Sequence, residues 1–343
     1  MASMSLVPLP EHLRERGRYA LLAGVAHMDP PPPPGDHTMS QRIFYSDDGL
    51  TFAEAPENPI IKGRSDCHNN MVYNPERGVF MQYRRATVNA NEIRRIAYTE
   101  SADLIHWTQP VGIVIPDELD PPCFYGMPVT RYQGAYFGFL EMFYWHPDRK
   151  LPKDHSIDVQ LAWSRDGIRW ERHPERPTFL PTGQVPKFDW GMVLCQQGVI
   201  TLDDGRLAVY YSGQARLHHG QMKPDTTCIG LATLRSDGFV SLDAPTVGYM
   251  LTKPLRCPGG RLHVNAKTSS GGCVKIAVRD GNGERDGQWL DGWGYGENVP
   301  FAGDSTDQEV AWTTEASFGV LKDRSIRLHF WLEEAELYSF WFE

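Results

Sequence analysis

Ser164-Arg165-Asp166-Gly167-Ile168-Arg169-Trp170 is the stretch on which the fold turns, because the chain repeats it. Ser46-Asp47-Asp48-Gly49-Leu50-Thr51-Phe52 and Ser101-Ala102-Asp103-Leu104-Ile105-His106-Trp107 are earlier copies, and Arg235-Ser236-Asp237-Gly238-Phe239 is a degraded later one. Each follows a short strand-like run: Arg42–Tyr45, Ile93–Tyr98, Val159–Trp163 and Ile229–Thr233. The Asp positions recur at intervals of about 55–70 residues, the period of a propeller blade rather than of a helical solenoid. A Ser/Asp-Gly turn ends a strand, and the aromatic four residues beyond the Asp is placed to plug the gap between neighbouring sheets.

Between the copies lies a hairpin pattern. Met71–Tyr73 leads through Asn74-Pro75-Glu76-Arg77-Gly78 into Val79–Tyr83, Met127–Thr130 through Gln133-Gly134 into Ala135–Leu140, and Val199–Leu202 through Asp203-Asp204-Gly205 into Leu207–Tyr211. These are hairpin signatures. Helical periodicity is nearly absent, with only Glu11–Arg16 suiting a short helix. The reading is an all-β chain: an N-terminal extension over 1–18, a propeller over 19–250, and a β-sandwich or propeller-closing strands over 251–343. From Leu251 the strand-like runs continue without the Asp-Gly turn, as in the alternation of Ile326–Trp331.

Composition excludes several functions. With 343 residues, 41% hydrophobic content and a formal charge of −9, the chain can bury a large core and presents no basic patch for nucleic acid. No run of 18 apolar residues suggests a membrane span. The first 17 residues lack a signal-peptide apolar core, and the six cysteines show no CxxC pairs. Free thiols and a cytoplasmic location are therefore expected. Compact metal-ligand spacing, GxSxG, P-loop and dinucleotide fingerprints are missing, so no cofactor is expected.

The blade grammar resembles the five-bladed propeller glycoside hydrolases, the clan holding family 43 (arabinosidases, xylosidases) and family 32 (fructosidases), and looks closest to bacterial family-32-like hydrolases. The residues that carry the resemblance are Asn70–Pro75, Asp158–Gly167 and Ile229–Phe239, with Thr252–Leu255 and Leu337–Phe340 resembling the terminal sandwich. It implies a five-bladed-type propeller, of which four repeats are visible, and a small glycan or glycoside as substrate, with furanosides favoured. It also admits a structural calcium ion. The chain departs from the pattern in lacking the fructosidase Asn-Asp-Pro-Asn-Gly, Arg-Asp-Pro and Glu-Cys motifs, and in carrying Cys123 where relatives carry an acid. Catalytic residues are therefore not transferred by motif.

Propeller topology supplies an independent list. Starts of the innermost strands, ends of the second and starts of the third line one face. Those positions hold Asp66, His68 and Asn70; Asp120, Cys123 and Tyr125; and Asp189 and Trp190. They also hold Arg84, Arg85, Glu141, Tyr144, Tyr211 and Gln214 at second-strand ends, and Asp158 at a third-strand start. Glycoside cleavage normally uses two carboxyl groups whose roles are set by environment. Glu141 interrupts the apolar run Ala135–Trp145 and is the candidate general acid, with Asp66 the candidate base or nucleophile. Asp158 and Asp189 complete the catalytic candidates. His68, Asn70, Arg84, Arg85, Tyr125, Trp145, Trp190, Tyr211 and His218 are the candidate substrate-binding residues, with Arg84 and Arg85 alternating so that at most one serves. Two rival readings remain: an enzyme that uses the same pocket for non-glycosidic chemistry such as cyclisation or isomerisation, and a carbohydrate-binding propeller without catalysis.

Overall fold

The computed structural model describes residues 4–26, 39–62, 68–88, 93–146, 150–221, 226–282, 288–313 and 317–343. It is a β protein whose helical content is two 3-10 turns, Glu11–Arg16 and Phe318–Leu321. The chain divides into two compact units, one of Met1–Ile200 with Ala208–Ala232, the other of Thr201–Leu207 with Thr233–Glu343.

The first unit is a propeller of successive antiparallel meanders. Blade 1 is β1 (Met4–Pro8), β2 (Tyr19–Ala26) and β3 (Met39–Ser46), edged by β4 (Ala53–Glu54) and β5 (Ile61–Lys62). Blade 2 is β6 (Asn70–Asn74), β7 (Val79–Val88), β8 (Ile93–Ser101) and β9 (Val111–Val114). Blade 3 comprises β10 (Cys123–Phe124) and β11 (Val129–Tyr132), both on β12 (Ala135–Phe143), then β13 (Ile157–Ser164) with β14 (Glu171–Arg172) and β15 (Thr178–Leu180). Blade 4 has β16 (Met192–Cys195), β17 (Ile200–Thr201), β18 (Leu207–Gln214) and β19 (Thr227–Leu234).

The inner strands meet through buried polar contacts. Ser5 Oγ in β1 accepts from Met71 N at 2.8 Å, and Gln197 Nε2, just past β16, donates to Met71 O at 2.6 Å. Asn70 Oδ1 accepts from Val129 N at 2.8 Å, tying blade 2 to blade 3.

The repeated turns share one hydrogen-bond pattern. In each, the Ser Oγ donates to the Asp Oδ1 at 3.0 Å (Ser46–Asp48, Ser101–Asp103, Ser164–Asp166). The Asp Oδ1 accepts from the next two free N–H groups, Leu50 and Thr51, Ile105 and His106, or Ile168 and Arg169. The residue after the Asp sits at positive φ: Gly49 at 75°, Gly167 at 75° and Leu104 at 67°. Glycine adopts that region freely, whereas Leu104 is held there with its side chain fully buried between blades 1 and 2. Backbone donors from Thr51 and Leu50 pull Asp48 down to about 2.

Trp107 and Trp170 close these turns half-buried rather than enclosed. Trp107 packs on the core shared by blades 1 and 2, and Trp170 on that shared by blades 2 and 3, edge-on to Tyr83 at 5.7 Å. Each indole N–H donates back to its own turn, Trp107 to Leu104 O at 3.0 Å and Trp170 to Gly167 O at 3.2 Å, which keeps one ring edge outward. Trp170→Ala should destabilise the first unit towards the lower end of about 3–5 kcal/mol, read as a lower urea midpoint at unchanged slope.

Three boundaries differ from the sequence reading. Residues 1–18 were read as an extension, yet Met4–Pro8 alternates exposed and buried side chains and forms the inner strand of blade 1. The inner strand of blade 4 is Met192–Cys195, whose four side chains are all buried, rather than Val199–Leu202. The degraded fourth copy belongs to the second unit, where Asp237 accepts from Ser339 Oγ at 2.6 Å and Arg235 stands in place of the turn serine.

The second unit is one sheet ordered β20 (Leu242–Leu251), β24 (Ser325–Phe342), β22 (Leu262–Asp280), β23 (Asp304–Glu309), with β21 (Leu255–Arg256) on β24. Val264, Ile276, Leu328 and Phe330 pack with Trp293 and Phe318 in its core.

Candidate active site

Glu141 lies in the middle of Phe139-Leu140-Glu141-Met142-Phe143 on β12, and none of its surface reaches solvent. Its backbone is fixed by Tyr125 N donating to Glu141 O at 2.8 Å and Glu141 N donating to Gly126 O at 2.9 Å. Neither carboxyl oxygen makes a hydrogen bond of ordinary geometry to the protein, and His68 Nδ1 stands 3.2 Å from Oε2. Burial pushes the Glu141 carboxyl well above the usual carboxylate range, offset slightly by the Cys195 backbone N–H. Burial also lowers His68 to about 4, so the imidazole is neutral near pH 7, and the same burial favours the uncharged form of Glu141. Their closeness needs Gly126, where a Cβ would stand 2.4 Å from His68 Cβ and 2.8 Å from Glu141 Oε2.

Tyr125 is the hub beside this pair. Its ring meets His68 at 5.4 Å, His218 at 5.2 Å and Phe143 at 5.6 Å, all edge-on. The guanidinium carbons of Arg94 and Arg85 lie 5.3 and 5.8 Å from its centroid. Phe143 stacks on Trp145 at 6.0 Å and contacts His218 at 4.7 Å. Burial, then the nearby Arg94 charge, lowers His218 to about 3. Cys195 is pushed well above its ordinary value by burial and by Glu141.

Pairing register separates the other candidates. Met142, not Glu141, is opposite Asp158, so the Asp158 side chain leaves the opposite face of the sheet from Glu141. There it accepts from Tyr144 OH at 3.1 Å and pairs with Lys153 Nζ at 2.8 Å. Asp189 accepts from Tyr211 OH at 3.0 Å, with Phe188 stacked on Tyr211, and Trp190 lies half-buried beside it. Asn70 uses its oxygen on Val129 N and leaves its Nδ2 without a partner. Arg84 and Arg85 point to opposite faces of β7 and both are buried; burial lowers Arg84. Asp66 lies outside the described residues.

Two arginines, Arg94 and Arg172, escaped the sequence reading. Arg94, at the start of β8, is 8% exposed, and its Nη1 has no hydrogen-bond partner. The alternation Ile93-Arg94-Arg95-Ile96 is the signal that could have singled it out, since one of two adjacent arginines must face inward. Arg172 and Asp120 form a two-pronged ion pair, 2.8 and 2.6 Å, almost wholly buried. Gln214, which topology did single out, is fully buried with both amide atoms unpaired. Buried polar atoms without protein partners are rare and call for a local explanation such as a ligand or water. Glu141, Arg94, Gln214 and Asn70 all lie at or near strand ends of blades 2 to 4.

Among the described residues, no group of three or more His, Cys, Asp or Glu side chains is set to hold a metal ion, and no helix is long and apolar enough to cross a membrane. The described cysteines, Cys123, Cys195, Cys228, Cys257 and Cys273, are unpaired thiols.

No protein-family model and no curated protein matches the chain. Solved structures do. An N-acetylgalactosamine deacetylase from F. plautii, crystallised with blood group B trisaccharide, is 14% identical over 67% of this chain and 71% of its own, with a TM-score of 0.47. The Bombyx mori family-32 β-fructofuranosidase is 12% identical over 93% of this chain and 76% of its own, TM-score 0.45. A structure from the work describing family 130, mannoside phosphorylases that include hydrolases of β-1,2 mannosidic linkages in Candida mannan, is 14% identical over 68% and 66%, TM-score 0.45. Likenesses this distant carry no argument about the reaction.

Proposed function

We propose that the chain cleaves a glycosidic bond in a small glycan or glycoside, with Glu141 as the general acid. The observation that carries this reading is a fully buried carboxyl, unpaired by hydrogen bonds of ordinary geometry and pushed by burial towards its neutral form, next to an aromatic wall of Tyr125, Phe143 and Trp145. A carboxyl whose neutral form is favoured by burial can donate a proton to a departing sugar oxygen, and flat apolar rings suit the faces of a sugar. Asp66, two residues before His68, is the proposed base or nucleophile, with Asp189 next in line. The furanoside preference rests on the family resemblance.

The pH profile tests the assignment. Activity should be full below the raised Glu141 value and fall as pH rises through it, because ionisation removes the proton to be donated. Stability should follow the same direction. The unfolded carboxyl ionises in its ordinary range while the folded one keeps its proton, so the contribution is full at low pH and is lost as pH climbs towards the folded value. An activity profile with no alkaline limb attributable to Glu141, judged against Glu141→Gln, would sink the assignment.

One observation favours a second reading. Asp158 faces away from Glu141 and is held by Lys153 and Tyr144, so no second carboxyl is described beside Glu141. A single carboxylic acid of raised pKa among the described residues suits a cyclisation or isomerisation that needs a proton and no carboxylate base. Release of reducing sugar from a panel of aryl furanosides and pyranosides separates the two readings.

A further inference from the structure

Arg94 is a buried charged side chain with no counter-ion among the described residues. Its guanidinium carbon lies 5.3 Å from the Tyr125 ring centroid and 4.9 Å from that of Phe143, so the group is held between two aromatic faces. It is 8% exposed, its Nη1 has no hydrogen-bond partner, and it makes no ion pair among the described residues. Arginine does not lose its charge in proteins, and an uncompensated buried charge is costly. The aromatic contacts repay part of that cost, but they engage the faces of the guanidinium and leave Nη1 without an acceptor among the described residues. Around it lie a second cation and a further polar group: Arg85 lies over the same Tyr125 ring, and the neutral His218, with an unpaired Nδ1, touches both rings. Glu141 is fully buried and pushed towards its neutral form, which disfavours it as the balancing anion.

From this geometry we infer that Arg94, supported by Arg85 and His218, forms an oxyanion subsite beside Glu141, and that it takes an anionic group borne on or bound beside the sugar, a carboxylate or a phosphate. The inference deepens the proposed glycosidase reading and rests on it for the identity of the ligand as a sugar. A planar guanidinium fixed between rings presents parallel N–H donors, the arrangement that suits two-pronged recognition of carboxylate or phosphate oxygens.

Binding tests this without turnover. Titration calorimetry of the wild-type protein and of Glu141→Gln would use D-glucuronate, D-galacturonate, inorganic phosphate and D-glucose as probes. Binding of at least one oxyanion probe to both proteins is expected, with D-glucose at least 10-fold weaker. Arg94→Gln should weaken the oxyanion probe at least 10-fold, and Arg94→Lys, which keeps the charge but loses the fork, should lie between. Ligand-free melts show whether each variant is folded, and the Lys variant carries the test if the Gln variant is not. Uronate binding without phosphate binding places the anion on the sugar, and phosphate binding alone places it beside the sugar; both support the subsite. The inference is overturned if no oxyanion probe binds the wild-type protein, or if the folded Arg94 variants bind as the wild type does. Because Glu141→Gln retains the subsite, loss of glycosidase activity and loss of anion binding are read separately.

Discussion

Glu141→Gln should reduce turnover of an unactivated glycoside by about 100-fold or more, the usual contribution of a positioned general acid. The amide occupies nearly the same volume and, like the protonated carboxyl, is neutral, so the apolar surroundings on β12 accept it. What it lacks is a transferable proton. A substrate whose leaving group departs without protonation, such as a dinitrophenyl glycoside, should lose much less. The alkaline limb of the pH profile should vanish in the variant, and its melting temperature should decline less with rising pH, because no raised carboxyl remains to titrate. Near-wild-type turnover on both substrate types would discard the assignment. Equal losses on both would instead indicate a group that binds substrate or positions His68, which stands 3.2 Å from the carboxyl.

Asp120→Ala should cost about 3–5 kcal/mol of stability, because it strands Arg172 as a buried charge. Arg172 has side-chain exposure of 7% and Asp120 of 0%. Their two-pronged contact ties the segment before β10 to β14, and the guanidinium also lies 5.5 Å from the Phe124 ring centroid. Restoring apolar balance with Asp120→Ala plus Arg172→Met should recover much of the loss, since the penalty comes from the uncompensated charge more than from the missing bond. By comparison the exposed pair Arg206–Asp204 should contribute little, because water screens it. Urea unfolding of the two single variants and the double variant checks this. An Asp120→Ala midpoint close to wild type would show that Arg172 finds water or another partner.

The two experiments address different parts of blade 3. Glu141 and Phe143 leave one face of β12, while Leu140 and Met142 leave the other and join the core shared with blade 2. Arg172 and Gln160, hydrogen-bonded to each other, lie with that second face. A stability variant on one face and an activity variant on the other should therefore act nearly independently.

Much of the fold was written locally. Ser164-Arg165-Asp166-Gly167 and its two close copies form the same turn because Ser and Asp oxygens capture nearby N–H groups and glycine accepts positive φ, all within seven residues. The Gln133-Gly134 hairpin, both residues at positive φ, was legible for the same reason. Glu141 stood out as a charge inside an apolar run, a signal that needs only the strand period. Tertiary structure decided the rest, because it depends on what other blades bring. Whether Met4–Pro8 is a tail or an inner strand turns on Ser5 finding the Met71 backbone, 66 residues away. Asp158 parts from Glu141 because β12 and β13 align Met142, rather than Glu141, with it, and a one-residue shift would have reversed the outcome. Arg94 gains its meaning only when Tyr125 and Phe143 flank it and no described acid pairs with it. Turns and strand faces follow from chain neighbours, whereas burial and the charge balance of a site are sums over residues far apart in sequence, and only packing performs that sum.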